Sequence, residues 1–103
     1  MIYQKISFTV KDFDAWKPGF VAHSDVRKDH TCQKTRVYTL PGDKNKISVV
    51  MEWADKSRME AFAGSDSLKE AMKNSGVISP PDIAVQEFDF DLSGVELQFE
   101  TDA

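Results

Sequence analysis

The chain has 103 residues, of which 41% are hydrophobic and 29% charged, a composition typical of one globular domain. Its formal net charge of −4 argues against a nucleic-acid partner, because phosphate binding requires a positive surface. The single cysteine, Cys32, excludes an intrachain disulfide. No apolar run approaches the roughly 20 residues that span a bilayer, and the N-terminus lacks a signal-peptide pattern. We therefore expect a cytoplasmic protein with no membrane partner.

The first predicted elements are a strand and a helix. Residues 2–10 alternate between apolar and polar side chains, which predicts a half-buried strand. Asp12 and Asp14 then provide a helix N-cap and a first-turn acid. Pro18 is best tolerated in the first turn of a helix. We therefore predict a short turn and then a helix at about 17–29.

The middle of the chain predicts a β-hairpin. Residues 32–40 and 46–53 both have the β-branched and aromatic composition of strands. The segment Pro41 to Asn45 between them is a turn cluster. Because the link is short, we expect the two strands to pair with each other.

The last third predicts a second helical region and a further strand. Asp55 is a good N-cap for a helix, which Gly64 and Ser65 interrupt. Further helical turns follow at 66–75, and Gly76 is suited to end them. Residues 83–90 predict the last strand of the domain.

This order of elements predicts a fold class. The sequence strand, helix, strand, strand, helix, strand is typical of the ferredoxin-like α+β fold, βαββαβ. In that fold two helices lie on one face of a four-stranded antiparallel sheet. We assign this domain to residues 1–92, and we expect residues 93–103 to form a C-terminal tail or a short extra strand.

The second face of such a sheet is not covered by helices. Strand alternation places on it a mixture of large apolar and polar side chains, with either Arg36, Tyr38 and Leu40 or their neighbours from the second strand. The other members are Tyr3, Lys5, Ser7, Val50, Glu52, Phe88 and Phe90. Because this surface carries few charges, we expect it to associate with a second copy in a sheet-on-sheet homodimer.

Three segments resemble a known superfamily. They are DFDAWKPGFVAHSDVR in the first helix, the end of the third strand at Trp53-Ala54-Asp55, and SDSLKEAMKNSGV. In these segments and in element order the chain resembles the dimeric α/β barrel superfamily, which includes the antibiotic-biosynthesis mono-oxygenase-like proteins. The resemblance implies a dimeric eight-stranded barrel with a pocket between each sheet and its own helices.

The activities of that superfamily differ among its members. Some oxidise aromatic polyketides without a cofactor, some degrade haem, and many have no known activity, so the fold alone does not select a function. The haem-degrading members use a first-strand asparagine and a second-helix histidine. This chain has Gln4 and Ser7 on its first strand and no histidine after His30, which disfavours haem chemistry.

Four residues form a stripe on the first predicted helix. The spacing of Trp16, Phe20, His23 and Arg27 places them on one helical face. His23 is a candidate for binding a proton or a substrate oxygen, and the alternative is a hydrogen-bonded core histidine. Arg27 is a candidate for binding a carboxylate or phenolate, and the alternative is a surface arginine paired with Asp29 or Glu52.

Four aromatic residues are candidates for lining an apolar pocket. They are Tyr38, Trp53, Trp16 and Phe62, and for Trp16 and Phe62 ordinary core packing is the alternative interpretation. No set of residues has the spacing of a metal site or of a nucleophilic triad. We therefore expect no metal and no cofactor, and the catalytic residues remain unassigned.

Two functions from different classes fit these observations. The first is a homodimer that binds a small apolar or aromatic molecule between sheet and helices, as a cofactor-independent mono-oxygenase. The second is a non-catalytic binding or regulatory homodimer. An RNA-binding domain with the same element order is disfavoured, because the third strand, KISVVMEW, lacks the glycine-and-aromatic pattern of that class.

Overall fold

A computed structural model of the protein describes residues 1–92. The elements follow the predicted order. The second helical region is interrupted as predicted, and the first is also divided into two helices, which differs from the prediction. In chain order they are β1 (Ile2–Thr9), α1 (Phe13–Ala22), α2 (Ser24–Asp29), β2 (Cys32–Leu40), β3 (Asp43–Trp53), α3 (Lys56–Ala63), α4 (Asp66–Asn74) and β4 (Asp82–Glu87). None of the described helices is long and apolar enough to cross a membrane. The predicted extra strand in residues 93–103 lies outside the described residues.

The four strands form one antiparallel sheet in the order β2-β3-β1-β4, which confirms the predicted βαββαβ fold class. β3 begins at Asp43 rather than at 46, because Pro41 and Gly42 alone close the hairpin with β2. Gly42 adopts a φ of +85°, which glycine tolerates without a steric penalty. β4 ends at Glu87 rather than at 90, because Glu87 pairs with Ile2, the first residue of β1.

The first helical region differs from the predicted single helix. α1 begins at Phe13 rather than at about 17, because the Asp12 carboxylate accepts a hydrogen bond from the first-turn backbone (3.1 Å). Pro18 therefore lies inside α1 and not in its first turn, and it removes one helical N–H donor. The helix is interrupted before α2, where the Ser24 hydroxyl donates to the Val21 carbonyl (2.6 Å) in competition with a helical N–H.

The second helical region follows the prediction closely. The Asp55 carboxylate caps α3 by accepting from two backbone N–H groups, and the Ser65 hydroxyl accepts from the backbone of α4. α4 ends at Asn74, and Gly76, which follows its C-cap Ser75, has a φ of +86°. The N–H of Val77 then donates to the Met72 carbonyl (3.3 Å), as in a Schellman motif.

One hydrophobic core lies between the sheet and the helices. Its buried apolar members come mainly from β3 and α3, and they are Val10, Trp16, Cys32, Ile47, Val49, Met51, Trp53, Met59 and Phe62. Two polar side chains are buried with them among the described residues, Gln4 and Arg27. A buried polar group requires a partner or a function, so these two residues call for explanation.

Side chains predicted for the opposite face of the sheet lie on it, among them Tyr3, Val50 and Glu52. Arg36 and Tyr38 both lie on this face, because they pair with Val50 and Ser48 of β3. Phe88 follows β4 on the same side, and its ring centroid is 6.4 Å from that of Tyr3. Large apolar groups are therefore exposed on the face that no described helix covers.

Candidate functional site

A cavity of about 290 Å³ lies between the sheet and the helices. The two central strands and all four helices contribute to its walls. Most of its lining is apolar or aromatic, and the lining residues are Ile6, Phe8, Ala15, Trp16, Gly19, Phe20, His23, Arg27, Val49, Met51, Phe62, Leu68, Ala71, Met72, Asn74 and Ser75. An apolar cavity with a few polar groups is the usual form of a small-molecule site.

Stacked aromatic rings form the wall of the cavity on the α1 side. The rings of Trp16 and Phe20 are stacked with centroids 4.7 Å apart. Phe8 of β1 meets Trp16 edge-on at 5.7 Å. Because Trp16 is only 3% exposed, this cluster fixes α1 onto the sheet. The same rings present flat apolar surface to the cavity.

His23 lies at the junction of α1 and α2 and lines the cavity. Its Nε2 atom is 3.3 Å from the Ser67 hydroxyl, and its ring centroid is 5.9 Å from that of Phe62. Burial lowers the pKa of His23, and the positive charge of Arg27 lowers it further. The imidazole is therefore neutral at pH 7 and able to accept a proton.

Arg27 of α2 is 5% exposed and also lines the cavity. Its Nη2 group donates to the Ser24 hydroxyl (2.9 Å), and its guanidinium carbon lies 4.0 Å from the centre of the Phe20 ring. Burial lowers its pKa, although a guanidinium stays protonated at pH 7. The alternative interpretation, a surface arginine paired with Asp29 or Glu52, is wrong. Arg27 is buried, and the Glu52 carboxylate instead lies 3.8 Å from the Lys34 ammonium.

Phe62 and Trp53 occupy successive layers below the cavity. Phe62 of α3 lines the cavity, and its ring centroid is 5.3 Å from that of Trp53. Trp53 is fully buried behind it and does not contribute to the lining. The indole Nε1 of Trp53 has no hydrogen-bond partner among the described residues. The structure therefore places Trp53 in the core, in contact with a lining residue.

Tyr38 lies on the other face of the sheet, so its predicted place beside this cavity is corrected. It pairs with Ser48 on the uncovered side and is 51% exposed. A β-bulge between Cys32 and Lys34 causes this, because one extra residue reverses the alternation of the strand. Of the six predicted site residues, the structure brings four together around the cavity: Trp16, His23, Arg27 and Phe62.

Sequence reasoning missed the contribution of α4. Leu68, Ala71, Met72 and Ser75 line the cavity and follow the i, i+3, i+4, i+7 spacing of one helical face. That spacing was available in the sequence, and it marks the face that α4 turns toward the cavity. Within residues 1–92 no group of three or more His, Cys, Asp or Glu side chains is arranged to hold a metal ion.

No protein-family model and no curated protein matches this sequence. Solved structures match it across most of its length. An antibiotic biosynthesis monooxygenase superposes with a TM-score of 0.69 over 86% of this chain and 99% of its own, at 11% identity. SnoaB, a cofactor-independent oxygenase from Streptomyces nogalater, superposes with a TM-score of 0.73 over 88% of this chain and 95% of its own, at 8% identity.

A conserved protein from Methanosarcina mazei Go1 gives a TM-score of 0.69 over 85% of this chain and 92% of its own, at 16% identity. Identities this low establish a shared fold and leave the reaction open. The chain therefore has the fold of the antibiotic biosynthesis monooxygenase structures, as its resemblance to that group predicted.

Proposed function

We propose that this protein is a cytoplasmic homodimer that binds one small apolar or aromatic molecule between sheet and helices and oxidises it as a cofactor-independent mono-oxygenase. The observation that carries the proposal is the cavity of about 290 Å³, with stacked Trp16 and Phe20 on one wall and His23 beside them. The fold shared with SnoaB, a cofactor-independent oxygenase, supports the reaction class.

The volume of the cavity sets the size of the ligand. An engineered cavity of roughly 150 Å³ lined by aliphatic and aromatic groups accommodates one benzene molecule. The cavity here, at about 290 Å³, is nearly twice that size. We therefore expect a ligand of two fused rings, with a ring plane that stacks on Trp16 or Phe20.

The proposed chemistry requires a proton acceptor and no external reductant. Conversion of a CH₂ group and O₂ into a ketone and water balances by itself, because the substrate supplies all the electrons. The protein must remove a proton from the substrate to begin the reaction. His23 fits this role, because it lines the cavity and its lowered pKa keeps the ring neutral.

Blocking the cavity tests the binding part of the proposal. In Gly19→Leu the new side chain projects into the cavity, where an ideal Cβ lies 4.0 Å from the Ser75 side chain. Val21→Leu is the matched control, because Val21 is 56% exposed on the same helix and does not line the cavity. We expect calorimetry to show binding of the neutral two-ring probe 2-naphthamide to wild type and to Val21→Leu. Loss of this probe's affinity in Gly19→Leu supports the site, and unchanged affinity contradicts it.

Oxygen uptake tests the reaction. Two-ring hydroxyaromatic ketones with an acidic CH₂ group are incubated with the protein and EDTA, without flavin, in an oxygen electrode. We expect uptake that His23→Gln reduces strongly while binding of 2-naphthamide persists. Binding without oxygen uptake by any member of the panel assigns the protein to the alternative, a non-catalytic binding or regulatory homodimer.

The homodimer is proposed from the uncovered sheet face. Tyr38, Phe88 and Phe90 are all large, exposed side chains, and a second copy packed sheet on sheet would bury them. Light scattering at micromolar concentration should give twice the monomer mass for wild type and a lower mass for Phe88→Glu. Ile78→Glu, an equally drastic change at an exposed residue outside the sheet, should leave the mass unchanged. A monomeric wild type removes the dimer from the proposal.

A further inference from the structure

We infer that the molecule bound in the cavity carries an anionic oxygen group, a carboxylate or a phenolate, which Arg27 binds. The inference rests on the proposed function and defines the chemical class of its ligand. Within residues 1–92, Arg27 is the only side chain lining the cavity that carries a positive charge at pH 7, because His23 is neutral there. The remainder of the lining within the described residues has no charge to pair with it.

The first argument is the cost of burying an unpaired cation. Arg27 is 5% exposed, and no carboxylate of residues 1–92 is within 4 Å of its guanidinium. Arginine is rarely buried without a partner, because removing its charge from water is expensive and it cannot release its proton. The neutral Ser24 hydroxyl and the face of Phe20 compensate this cost only in part. An anionic ligand would supply the missing charge.

The second argument is that Arg27 is held in place. Ser24 donates its hydroxyl proton to the Val21 carbonyl (2.6 Å), which leaves the hydroxyl oxygen directed to accept from Arg27 Nη2 (2.9 Å). The Phe20 ring supports the flat face of the guanidinium at 4.0 Å. A guanidinium fixed on one edge and one face loses little entropy when it binds an anion.

The third argument concerns the remaining donors. A guanidinium has five N–H groups, and Arg27 makes one hydrogen bond to the described residues. In residues 1–92, the fully buried polar side-chain atoms that lack a hydrogen-bond partner are Gln4 Oε1 and Trp53 Nε1. No nitrogen of Arg27 is among them. The free nitrogens of Arg27 are therefore not completely buried. They are accessible to a ligand, and two parallel N–H donors match the geometry of a carboxylate.

A pair of isosteric probes tests the inference directly. 2-Naphthoate and 2-naphthamide have nearly the same shape, and only the first carries a negative charge at pH 7. Because the carboxylate adds a charge attraction to the guanidinium that the neutral amide lacks, we expect wild type to bind 2-naphthoate roughly tenfold more tightly than 2-naphthamide. Calorimetry at fixed, low ionic strength measures both affinities.

Two variants assign the preference to Arg27. Arg27→Met should abolish the preference for 2-naphthoate and leave the affinity for 2-naphthamide nearly unchanged, and Arg27→Lys should retain part of the preference. Arg58→Met is the control for net charge, because Arg58 is an exposed arginine on α3 that donates to the Asp29 carbonyl and does not line the cavity. It should bind both probes as wild type does.

Equal affinity of wild type for the two probes overturns the inference and leaves the proposed binding site standing. A preference that survives in Arg27→Met also overturns it, because the charge must then be recognised elsewhere. If wild type binds neither probe, both the inference and the proposed function fail. These comparisons within wild type need no variant, so the inference stays testable even if Arg27→Met does not fold.

Discussion

Two glycines in this protein predict opposite effects of the same substitution. Gly19 lies within α1 with a negative φ, and a Cβ added there would contact Ser75 at an ordinary 4.0 Å. Gly42 closes the β2–β3 hairpin with a φ of +85°, and a Cβ added there would meet nothing within 4 Å. Gly19→Ala therefore changes helix propensity without a clash, whereas Gly42→Ala changes backbone strain without a clash.

The expected magnitudes follow from these backbone conformations. Alanine is favoured over glycine in a helix interior by about 1 kcal/mol, so Gly19→Ala should raise the free energy of unfolding by about that amount. An L-residue in the left-handed region costs roughly 1–2 kcal/mol, and the smaller entropy of the unfolded alanine chain offsets part of this cost. Gly42→Ala should therefore lower the free energy of unfolding by about 1 kcal/mol. For a domain of this size, 1 kcal/mol corresponds to about 4 °C in Tm.

Urea unfolding monitored by tryptophan fluorescence measures the difference, because Trp16 and Trp53 are both buried. The two variants have identical composition, so effects on the unfolded chain largely cancel between them. Protein concentration must be the same in every experiment, since dimerisation would link stability to concentration. The reasoning is refuted if Gly42→Ala is as stable as Gly19→Ala. If the cavity binds a ligand, Gly19→Ala should also weaken its binding, because the added methyl group narrows the cavity.

Three further predictions concern polar groups. Gln4 Oε1 is buried without a partner in residues 1–92, so Gln4→Met should raise the free energy of unfolding by about 1 kcal/mol; a loss of stability in denaturant would show that an unseen partner exists. The pKa of His23 is lowered in the folded protein. As the pH falls below about 7, the unfolded chain therefore takes up a proton at this histidine before the folded protein does, and the free energy of unfolding decreases. His23→Gln should reduce this slope in urea titrations, and an unchanged slope would assign it to other groups. The pKa of the Asp55 carboxylate is lowered by the hydrogen bond from Ser57 and by those from the backbone of α3, so its contribution to stability is present at pH 7 and lost on acidification. Asp55→Ala should therefore destabilise the protein at pH 7 and much less at pH 3. Asp66→Ala is the comparison, because Asp66 makes no such cap.

Local signals were sufficient to predict the order of elements. Strand alternation, the caps at Asp12, Asp55 and Gly76, and the Pro41-Gly42 turn depend on residues close in sequence, and the structure contains each of them. The bounds of the first helix were less predictable. The helix preference of proline predicts Pro18 in the first turn, whereas the Asp12 cap begins α1 earlier and places Pro18 inside it. Two valid local signals competed, and contacts at the start of the helix decided between them.

The stripe on the first helical region was predictable because its four residues lie within three helical turns. Trp16, Phe20, His23 and Arg27 all line the cavity, even though the helix is interrupted at His23. The sequence could place them on one face, but it could not tell that Arg27 would be buried without an acidic partner. That property depends on the strand register, which places Glu52 on the opposite face of the sheet beside Lys34, and on how α2 packs against β2.

The sequence by itself therefore determined the fold class and the helical half of the candidate site, because both depend on short periodicities. The tertiary structure decided which face each strand residue takes. One bulge between Cys32 and Lys34 moves Tyr38 to the uncovered face, and the packing of Phe62 over Trp53 removes that tryptophan from the cavity wall. Register and layering are set by pairing between distant segments, and no local pattern in the chain records them.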